Sequence, residues 1–145
     1  MPPISRHDVS SAMAQLVPRI IQGVQLDFFI TRRVTQTQCL VLMAIHASGS
    51  CTIGTLARSL HVSMPTASGI VERLVRAGYA RRHPKPEDRR QVAVELTARG
   101  QSFIQQFQAV IRRRWDEVLR PLAPKELETF HRVITTLHTR LQPPR

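Results

Sequence analysis

Apolar residues recur at helical spacing through the first part of the chain. From about Asp8 to Ile30 they form a stripe along one side of a predicted helix, with Pro18 inside the run as a candidate kink or interruption. The stripe consists of Val9, Met13, Leu16, Val17, Ile20, Ile21, Val24 and Phe28. Because this side is too apolar to face water, it is expected to pack in a core or against a second chain.

Two short helices are predicted next. Thr35 and Gln38 fit a capping box that opens the first of them, and the segment 48–50 (Ser-Gly-Ser) ends it. Its expected buried side consists of Leu40, Val41, Ala44 and Ile45. A very short strand at Cys51 leaves Thr52 as the candidate cap of the other helix. The apolar positions of that helix are Ile53, Leu56, Ala57 and Leu60.

The fourth helix has clear signals at both ends. Ser63 is a candidate N-cap, Pro65 falls in the first turn, where its missing N–H costs little, and Gly78 ends the helix. One face is apolar and carries Ala67, Ile70, Val71 and Leu74. The other side is small near the start of the helix and basic further along. It carries Pro65, Gly69, Glu72, Arg73 and Arg76, with Thr66 and Ser68 on its flanks.

A hairpin is predicted after this helix. Residues 79–83 can begin a strand, and residues 84–88 (Pro-Lys-Pro-Glu-Asp) have the composition of a turn. Val92, Val94 and Leu96 alternate with other residues, which predicts a returning strand with one buried face.

Two long amphipathic helices are predicted after the hairpin. Thr97 is the candidate cap of the fifth helix, and Pro121 and Pro124 interrupt the chain after it. The fifth helix carries Phe103, Ile104, Phe107, Val110, Ile111, Trp115, Val118 and Leu119 at spacings of three and four. The sixth carries Leu127, Phe130, Val133, Ile134, Leu137 and Leu141. Such long stripes exceed what a small neighbouring domain can cover, so the pattern indicates a dimer that uses the first, fifth and sixth helices.

The charge balance indicates the kind of partner. The 145 residues include 21 Lys and Arg against 10 Asp and Glu, which gives a formal net charge of +11. Nearly all the cations are arginines, which suit bidentate contacts with phosphate and guanine better than lysines do. This excess favours polyanions through phosphate attraction and counterion release. Charge alone does not distinguish DNA from RNA or from an anionic membrane surface.

The sequence contains no pattern typical of catalysis or of a metal site. It has no Gly-rich phosphate loop, nucleophile elbow or zinc motif, and Cys39 and Cys51 lack the spacing of a disulfide framework. No apolar run approaches the roughly 20 residues that span a bilayer, and the start lacks the core of a signal peptide. We therefore expect a cytoplasmic protein that is not an enzyme, needs no cofactor or metal and does not enter a membrane.

The third and fourth helices followed by a hairpin fit a helix-turn-helix with a wing. A helix with a small polar start can enter the major groove of DNA, and a hairpin with arginines near its tip can reach a neighbouring minor groove. An ordinary basic surface is the alternative interpretation of the same residues.

This stretch resembles the recognition helix and wing of the MarR family of winged-helix transcription regulators. The resemblance lies in segments 68–74 (SGIVERL), 77–79 (AGY), 88–90 (DRR) and 96–97 (LT), together with Gly100. An Asp-x-Arg followed by Leu-Thr-x-x-Gly is fairly specific to this family. The resemblance extends over nearly the whole chain and is strongest from Thr35 to Gly100.

The resemblance implies a mainly α-helical fold with a small β wing. A winged helix-turn-helix over 33–99 would be flanked by an N-terminal arm and dimerisation helix (1–32) and by C-terminal dimerisation helices (100–145). It implies a homodimer that regulates transcription, most often as a repressor, by binding an inverted repeat in double-stranded DNA. The main alternative is a nonspecific architectural nucleic-acid-binding protein, which the charge alone would support.

The expected DNA contacts begin in the first turn of the fourth helix. Ser63, Thr66 and Ser68 can donate hydrogen bonds to phosphates or base edges. Met64 and Pro65 can make apolar contact, for example with a thymine methyl group. Gly69 allows the backbone to approach the DNA closely.

Charged contacts are expected further along the helix and in the wing. Arg73 is the leading candidate for a base or phosphate contact, and Arg76 for a phosphate contact. Glu72 either orients Arg76 or accepts a hydrogen bond from cytosine. By the resemblance, Arg90 enters the minor groove and Asp88 braces it by an ion pair. Two further phosphate contacts are expected from Lys85 and Arg89.

The resemblance also implies a small effector, often aromatic and anionic, that binds between the winged helix and the dimer helices. Candidate lining residues, chosen by location, are Phe28, Phe29, Arg32 and His46. A filled apolar hinge without a ligand is the alternative. Some relatives sense peroxide through a cysteine near the start of the first helix, where this chain has none. Buried packing is therefore the favoured role of Cys39 and Cys51.

Overall fold

The computed structural model describes residues 3–85, 87–88 and 91–141, and it leaves the side chains of residues 23–27 undescribed. Helices dominate this part of the chain, and three short strands form one antiparallel sheet. The elements in order are α1 (Arg6–Arg32), α2 (Gln36–Ser48), β1 (Ser50–Thr52), α3 (Ile53–Ser59), α4 (Met64–Arg76), β2 (Ala80–Pro84), β3 (Val92–Leu96), α5 (Ala98–Leu119) and α6 (Pro124–Leu141). The predicted fold class, mainly α with a small β wing, is confirmed.

Helix α1 is continuous from Arg6 to Arg32, with Pro18 inside it. Of the two effects predicted for Pro18, a kink or an interruption, the interruption does not occur. The proline removes only one backbone donor from a long helix. A capping box opens α1: the Ser5 hydroxyl accepts from the Asp8 N–H, and the Asp8 carboxylate accepts from the Ser5 N–H. Hydrogen bonds from the Ser5 hydroxyl and N–H lower the pKa of Asp8.

The predicted caps of the later helices are confirmed. In α2 the Gln38 N–H donates to Thr35 Oγ1 at 3.2 Å, and the Thr35 N–H donates to Gln38 Oε1 at 2.8 Å. Thr52, Ser63 and Thr97 cap α3, α4 and α5 in the same way. Each hydroxyl accepts from the backbone N–H three residues further along, so local sequence fixes where these helices begin.

The sheet has the order β1-β3-β2, with β3 paired to both neighbours. Its register places Val92, Val94 and Leu96 on one face, together with Ala80 and Cys51. Val94 and Leu96 are buried on this face as predicted, but Val92 is 47% exposed. It pairs with Pro84 at the end of the ladder, beyond the edge of the core, so the prediction that it is buried was wrong.

Helix α2 lies near the centre of the core and is packed against α3, α4, α5 and the sheet. Val41, Leu42 and Ile45 are fully buried, and Cys39 is nearly so. Leu40, which was predicted to be buried, is 53% exposed. The prediction failed because Leu40 lines an apolar cavity beside α1 and does not pack in the core.

The core continues from the winged helix into α1 and α5. Phe28, Phe103 and Phe107 form a cluster of rings with centroid separations of 5.2 Å and 5.6 Å from Phe28. Tyr79 joins this cluster against Phe103 at 5.5 Å. These rings hold the start of α5 and the end of α1 together, and α5 also packs on α2 and β3.

Helices α1 and α6 carry large apolar side chains on their exposed surfaces. Helix α6 has no buried residue within its described length. The exposed apolar residues of α1 and α6 include Val9, Met13, Leu16, Val17, Ile21, Leu127, Val133, Ile134 and Leu137. Across the described residues, the helices are too short or too polar for any of them to cross a bilayer.

Candidate nucleic-acid interface

The first turn of α4 presents small polar groups to solvent. Ser63, Met64, Pro65 and Thr66 are exposed, while Ala67 behind them is fully buried. The Ser63 hydroxyl accepts from the Thr66 N–H at 3.2 Å and lies 2.8 Å from the Thr66 hydroxyl. The two hydroxyls therefore support each other and still face outward, which leaves them accessible to a phosphate.

The second half of the exposed side is basic. Arg76 forms an ion pair with Glu72 at 2.8 Å, and both side chains are exposed. This geometry matches the expectation that Glu72 orients Arg76. Arg73 is exposed and has no hydrogen-bond or ion-pair partner within the described part of the chain. Its guanidinium therefore keeps all its donors for a ligand.

Gly69 lies between these two regions of α4. A Cβ atom built on it would meet no other atom within 4 Å. The interior of the protein therefore does not require glycine here. The absent side chain leaves a shallow place on the surface that a DNA backbone or base edge can approach.

The hairpin tip is only partly described. The Lys85 N–H donates to the Gln91 carbonyl at 2.9 Å, and the Gln91 N–H donates to the Asp88 carbonyl at 2.9 Å. Both bonds close the turn. Arg89 and Arg90 lie outside the described residues, so their predicted contacts stay predictions.

The two faces of the wing differ in whether their arginines form ion pairs. On one face, Glu95 binds both Arg81 and His83, the latter through a contact of 3.3 Å. Arg82 lies on the other face beside its strand partner Val94, and it is exposed. No role was predicted for Arg82 from the sequence. The alternation of a paired strand, applied to β2 as it was to β3, would have found it.

The four predicted effector residues do not share one cavity. Phe28 is buried under the Arg32 guanidinium, which lies 4.0 Å from the ring centroid and donates to Gln106 Oε1 at 2.6 Å. His46 Nδ1 lies 3.1 Å from Gln101 Oε1. Only Phe29 of the four lines the large apolar cavity between α1, α2 and α5.

That cavity has a volume of about 440 Å³. Among the described residues it is lined by Val17, Ile20, Ile21, Phe29, Gln36, Cys39, Leu40, Met43, Phe107, Ile111 and Trp115. None of these side chains is charged, and Gln36 supplies the polar amide. The exposed position of Leu40 on α2 is explained by this cavity.

Both cysteines are buried and free. Burial raises the pKa of the Cys39 thiol to about 11 and also raises that of Cys51. A thiol that stays protonated is a poor nucleophile. The expectation of buried packing is confirmed for both residues. Within the described residues no three His, Cys, Asp or Glu side chains cluster so that they could hold a metal ion.

The fold and this surface define a winged helix-turn-helix protein. Comparison with solved structures agrees. The chain superposes on RV1404 from Mycobacterium tuberculosis with a TM-score of 0.79, 22% identity and 99% of each chain covered. It superposes on a mutant MarR from E. coli complexed with operator DNA with a TM-score of 0.58 and 22% identity, over 92% of this chain and 99% of the other.

Sequence comparison identifies the family. The profile of the MarR family matches residues 34–92, which run from the end of α1 to the start of β3. The HTH-type transcriptional regulator YhbI of Bacillus subtilis is 31% identical over 98 residues, 68% of this chain and 61% of the relative. The multiple antibiotic resistance protein MarR of Salmonella typhimurium is 34% identical over 73 residues, 50% of this chain and 51% of the relative. These matches support a MarR family winged helix-turn-helix regulator.

Proposed function

We propose that the protein is a homodimeric repressor that binds an inverted repeat in double-stranded DNA. The observation that carries this proposal is the exposed side of α4. Small hydroxyls, an open glycine and Arg73, which has no partner among the described residues, follow one another along this helix. The MarR mutant bound to operator DNA has the same fold, which supports a similar use of the helix here. The HTH-type transcriptional repressor YetL, a Bacillus subtilis relative 28% identical over 86 residues, supports the direction of regulation.

A second copy of the chain is proposed to cover the exposed apolar faces of α1 and α6. A monomer would leave Val9 and Met13 of α1 in water, together with Ile134 and Leu137 of α6. Contiguous apolar surfaces of this kind mark interaction sites. Because these helices lie at the two ends of the chain, a dimer built from them leaves α4 and the wing free.

The dimer determines the form of the target. A two-fold axis relates the two α4 helices, so they meet half-sites of opposite orientation about one helical turn apart. Enrichment of random duplexes by the protein should therefore yield inverted half-sites whose centres are roughly 10 bp apart. Inserting about half a turn of DNA between the half-sites should abolish tight binding. Equal affinity for both spacings would contradict a fixed dimer on DNA.

We propose that an effector binds in the cavity lined by Phe29 and Trp115. Its uncharged lining favours an apolar aromatic molecule over the anionic one that the family resemblance implied, since an unpaired buried charge is costly. Such an effector changes the conformation of the dimer only if it binds more tightly to one spacing of the two α4 helices than to another.

The effector proposal has a direct test in Trp115, the single tryptophan of the chain. Titration with 1-naphthol should change tryptophan fluorescence and compete with DNA, whereas 1-naphthoate should do so only at much higher concentration. Trp115→Phe, which leaves the chain without tryptophan, gives the background from the ligand's own fluorescence. Preference for the carboxylate would contradict the apolar assignment.

A further inference from the structure

A recess lies where the end of α1 meets the start of α5. It has a volume of about 230 Å³ and is lined by Arg32, Tyr79, Arg99, Ser102, Phe103 and Gln106. It shares none of these residues with the apolar cavity between α1, α2 and α5. Two of the described residues that line it are arginines and none is acidic, so its lining carries a net positive charge.

Aromatic rings hold both guanidinium groups at this recess. The guanidinium carbon of Arg32 lies 4.0 Å from the centroid of the Phe28 ring, and that of Arg99 lies 4.6 Å from the centroid of the Tyr79 ring. Phe103 contacts both rings, with centroid separations of 5.2 Å and 5.5 Å. Because all three rings are buried, each arginine rests on the core with one face and keeps the edge of its planar group for other contacts.

The two arginines differ in how many of their donors are already used. Arg32 donates to Gln106 Oε1 from Nε at 3.2 Å and from Nη2 at 2.6 Å, and its Nη1 donates to the Phe28 carbonyl oxygen at 3.4 Å. Arg99 is exposed and forms neither a hydrogen bond nor an ion pair with any other described residue. Arg32 is therefore a fixed positive charge, whereas Arg99 has N–H donors available for a ligand.

A short series of hydrogen bonds leaves the Ser102 hydroxyl as a further donor. Because Gln106 Oε1 accepts from Arg32, the Gln106 amide turns its Nε2 towards Ser102 and donates to Ser102 Oγ at 3.1 Å. The Ser102 oxygen thus already accepts a bond, and no described residue accepts one from its O–H. The recess therefore presents the N–H fork of Arg99 and the O–H of Ser102, two donors without an acceptor.

The ligand that suits these donors is a compact oxyanion. A carboxylate or a phosphoryl group offers two oxygens to the planar fork of Arg99 and a further lone pair to the Ser102 hydroxyl. Its charge would also offset the two guanidinium charges that line the recess, one of which belongs to the partly buried Arg32. A neutral ligand would satisfy the donors but leave these charges without an opposite charge beside them.

We propose that this recess binds a small metabolite through its phosphate or carboxylate group. Arg99 and Ser102 donate hydrogen bonds to the anion, and Arg32 contributes a fixed positive charge. The recess also lies at a junction, because Arg32 is the last residue of α1, Ser102 lies near the start of α5, and the Tyr79 hydroxyl lies 3.5 Å from the Arg32 carbonyl oxygen. A bound anion therefore stabilises the contact of α1 with α5 beside the base of the wing. The inference does not depend on DNA binding.

Thermal unfolding with a small oxyanion tests the site. Inorganic phosphate and malonate represent the phosphoryl and carboxylate groups, and chloride at equal ionic strength is the reference for each protein. A ligand that binds only the folded protein raises the Tm progressively with its concentration. The wild-type protein should show a rise for at least one of the two anions, and the anion with the larger rise identifies the preferred group. Absence of a rise with both anions would overturn the proposal.

Two substitutions that remove the same charge from α5 show where the anion binds. Arg112→Gln changes an exposed residue further along the helix and should keep the wild-type rise in Tm. In Arg99→Gln the rise should be smaller by at least about 2 °C. Each rise is measured from the same variant in chloride, so the lost packing of Arg99 on Tyr79 does not enter the comparison. Equal rises in the two variants overturn the proposal, because general stabilisation by phosphate or binding at other arginines would then explain them.

A third variant tests the hydroxyl without changing the charge. Ser102→Ala alters an exposed side chain and should fold like the wild-type protein. It should need at least about tenfold more anion for the same rise in Tm, because it lacks one hydrogen bond to a charged group. The same concentration dependence as in the wild-type protein would contradict the role of Ser102.

Discussion

Arg73 has the clearest opportunity for a base contact among the described residues. It lies one turn past Gly69 on the exposed side of α4, and the neighbouring ion pair of Glu72 with Arg76 does not include it. An arginine with free donors in the major groove binds guanine O6 and N7 in a bidentate manner. Arg73 could be predicted from the sequence because it falls outside the apolar stripe formed by the buried Ala67, Ile70 and Leu74.

Replacing Arg73 with alanine should therefore cost roughly 1–3 kcal/mol in operator binding, and less on a shuffled duplex. Anisotropy on both duplexes measures the difference. Arg112→Ala serves as the control, since Arg112 is exposed on α5 and the substitution removes the same charge. An equal loss on the two duplexes would make Arg73 a phosphate contact.

The cysteines are predicted to be inert in the folded protein. Because the pKa of Cys39 is about 11, its thiolate is scarce at neutral pH, and burial also blocks access. A disulfide reagent should label neither thiol of the native protein quickly at pH 7.5, and should label both after unfolding in guanidinium chloride. Rapid labelling of the native protein would contradict the packing role.

The same pKa has a consequence for stability. Cys39 ionises near pH 9 when unfolded and near pH 11 when folded, so the unfolded state loses its proton first as pH rises. Its contribution to stability is therefore constant below pH 9 and declines between pH 9 and pH 11. Denaturant unfolding across this range should show a smaller decline in Cys39→Ala than in the wild-type protein.

At the scale of elements, helix ends and buried stripes could be predicted from sequence because they depend on local chemistry. The hydroxyls of Thr35, Ser63 and Thr97 each cap a helix by accepting a hydrogen bond from the backbone N–H three residues further along. Leu40 and Val92 were misjudged because their burial depends on tertiary neighbours, namely the cavity beside α2 and the edge of the core beneath β3. Arg82 was missed because its direction follows from pairing between two strands.

A substitution at Gly69 tests both the stability of α4 and its contact with DNA. Alanine at this position meets no other atom, so Gly69→Ala should raise the free energy of unfolding by roughly 0.5–1 kcal/mol. The added methyl group should at the same time weaken operator binding if the DNA approaches the backbone there. Denaturant unfolding and anisotropy on one protein sample measure both effects. Greater stability with unchanged affinity would remove Gly69 from the interface.

Gly100 provides the contrasting case. A Cβ atom there would lie 2.1 Å from the Tyr79 carbonyl oxygen, which is a backbone atom that cannot move aside easily. We expect Gly100→Ala to destabilise the fold by about 1–3 kcal/mol, as overpacking does. The measurement is again denaturant unfolding. Wild-type stability would mean that the start of α5 can shift away from Tyr79.

At the scale of the whole molecule, the proposed dimer assigns a role to the terminal helices. Leu137 is exposed on α6, so Leu137→Glu should leave the monomer folded and prevent dimerisation. Light scattering should give half the wild-type mass, and circular dichroism should remain helical. Thr136→Glu, which places the same charge at the adjacent exposed position, should remain dimeric. A Leu137→Glu protein that is still dimeric would remove this part of α6 from the interface.

Recognition of a particular operator is the central claim, and one measurement tests it most directly. Fluorescence anisotropy would compare the DNA upstream of the protein's own gene with a shuffled duplex of equal length, at low salt and at roughly 150 mM salt. Tight binding to the upstream DNA alone, retained at the higher salt, is the predicted result. Equal binding to both duplexes that is lost together on adding salt would contradict it, and would favour a nonspecific architectural protein.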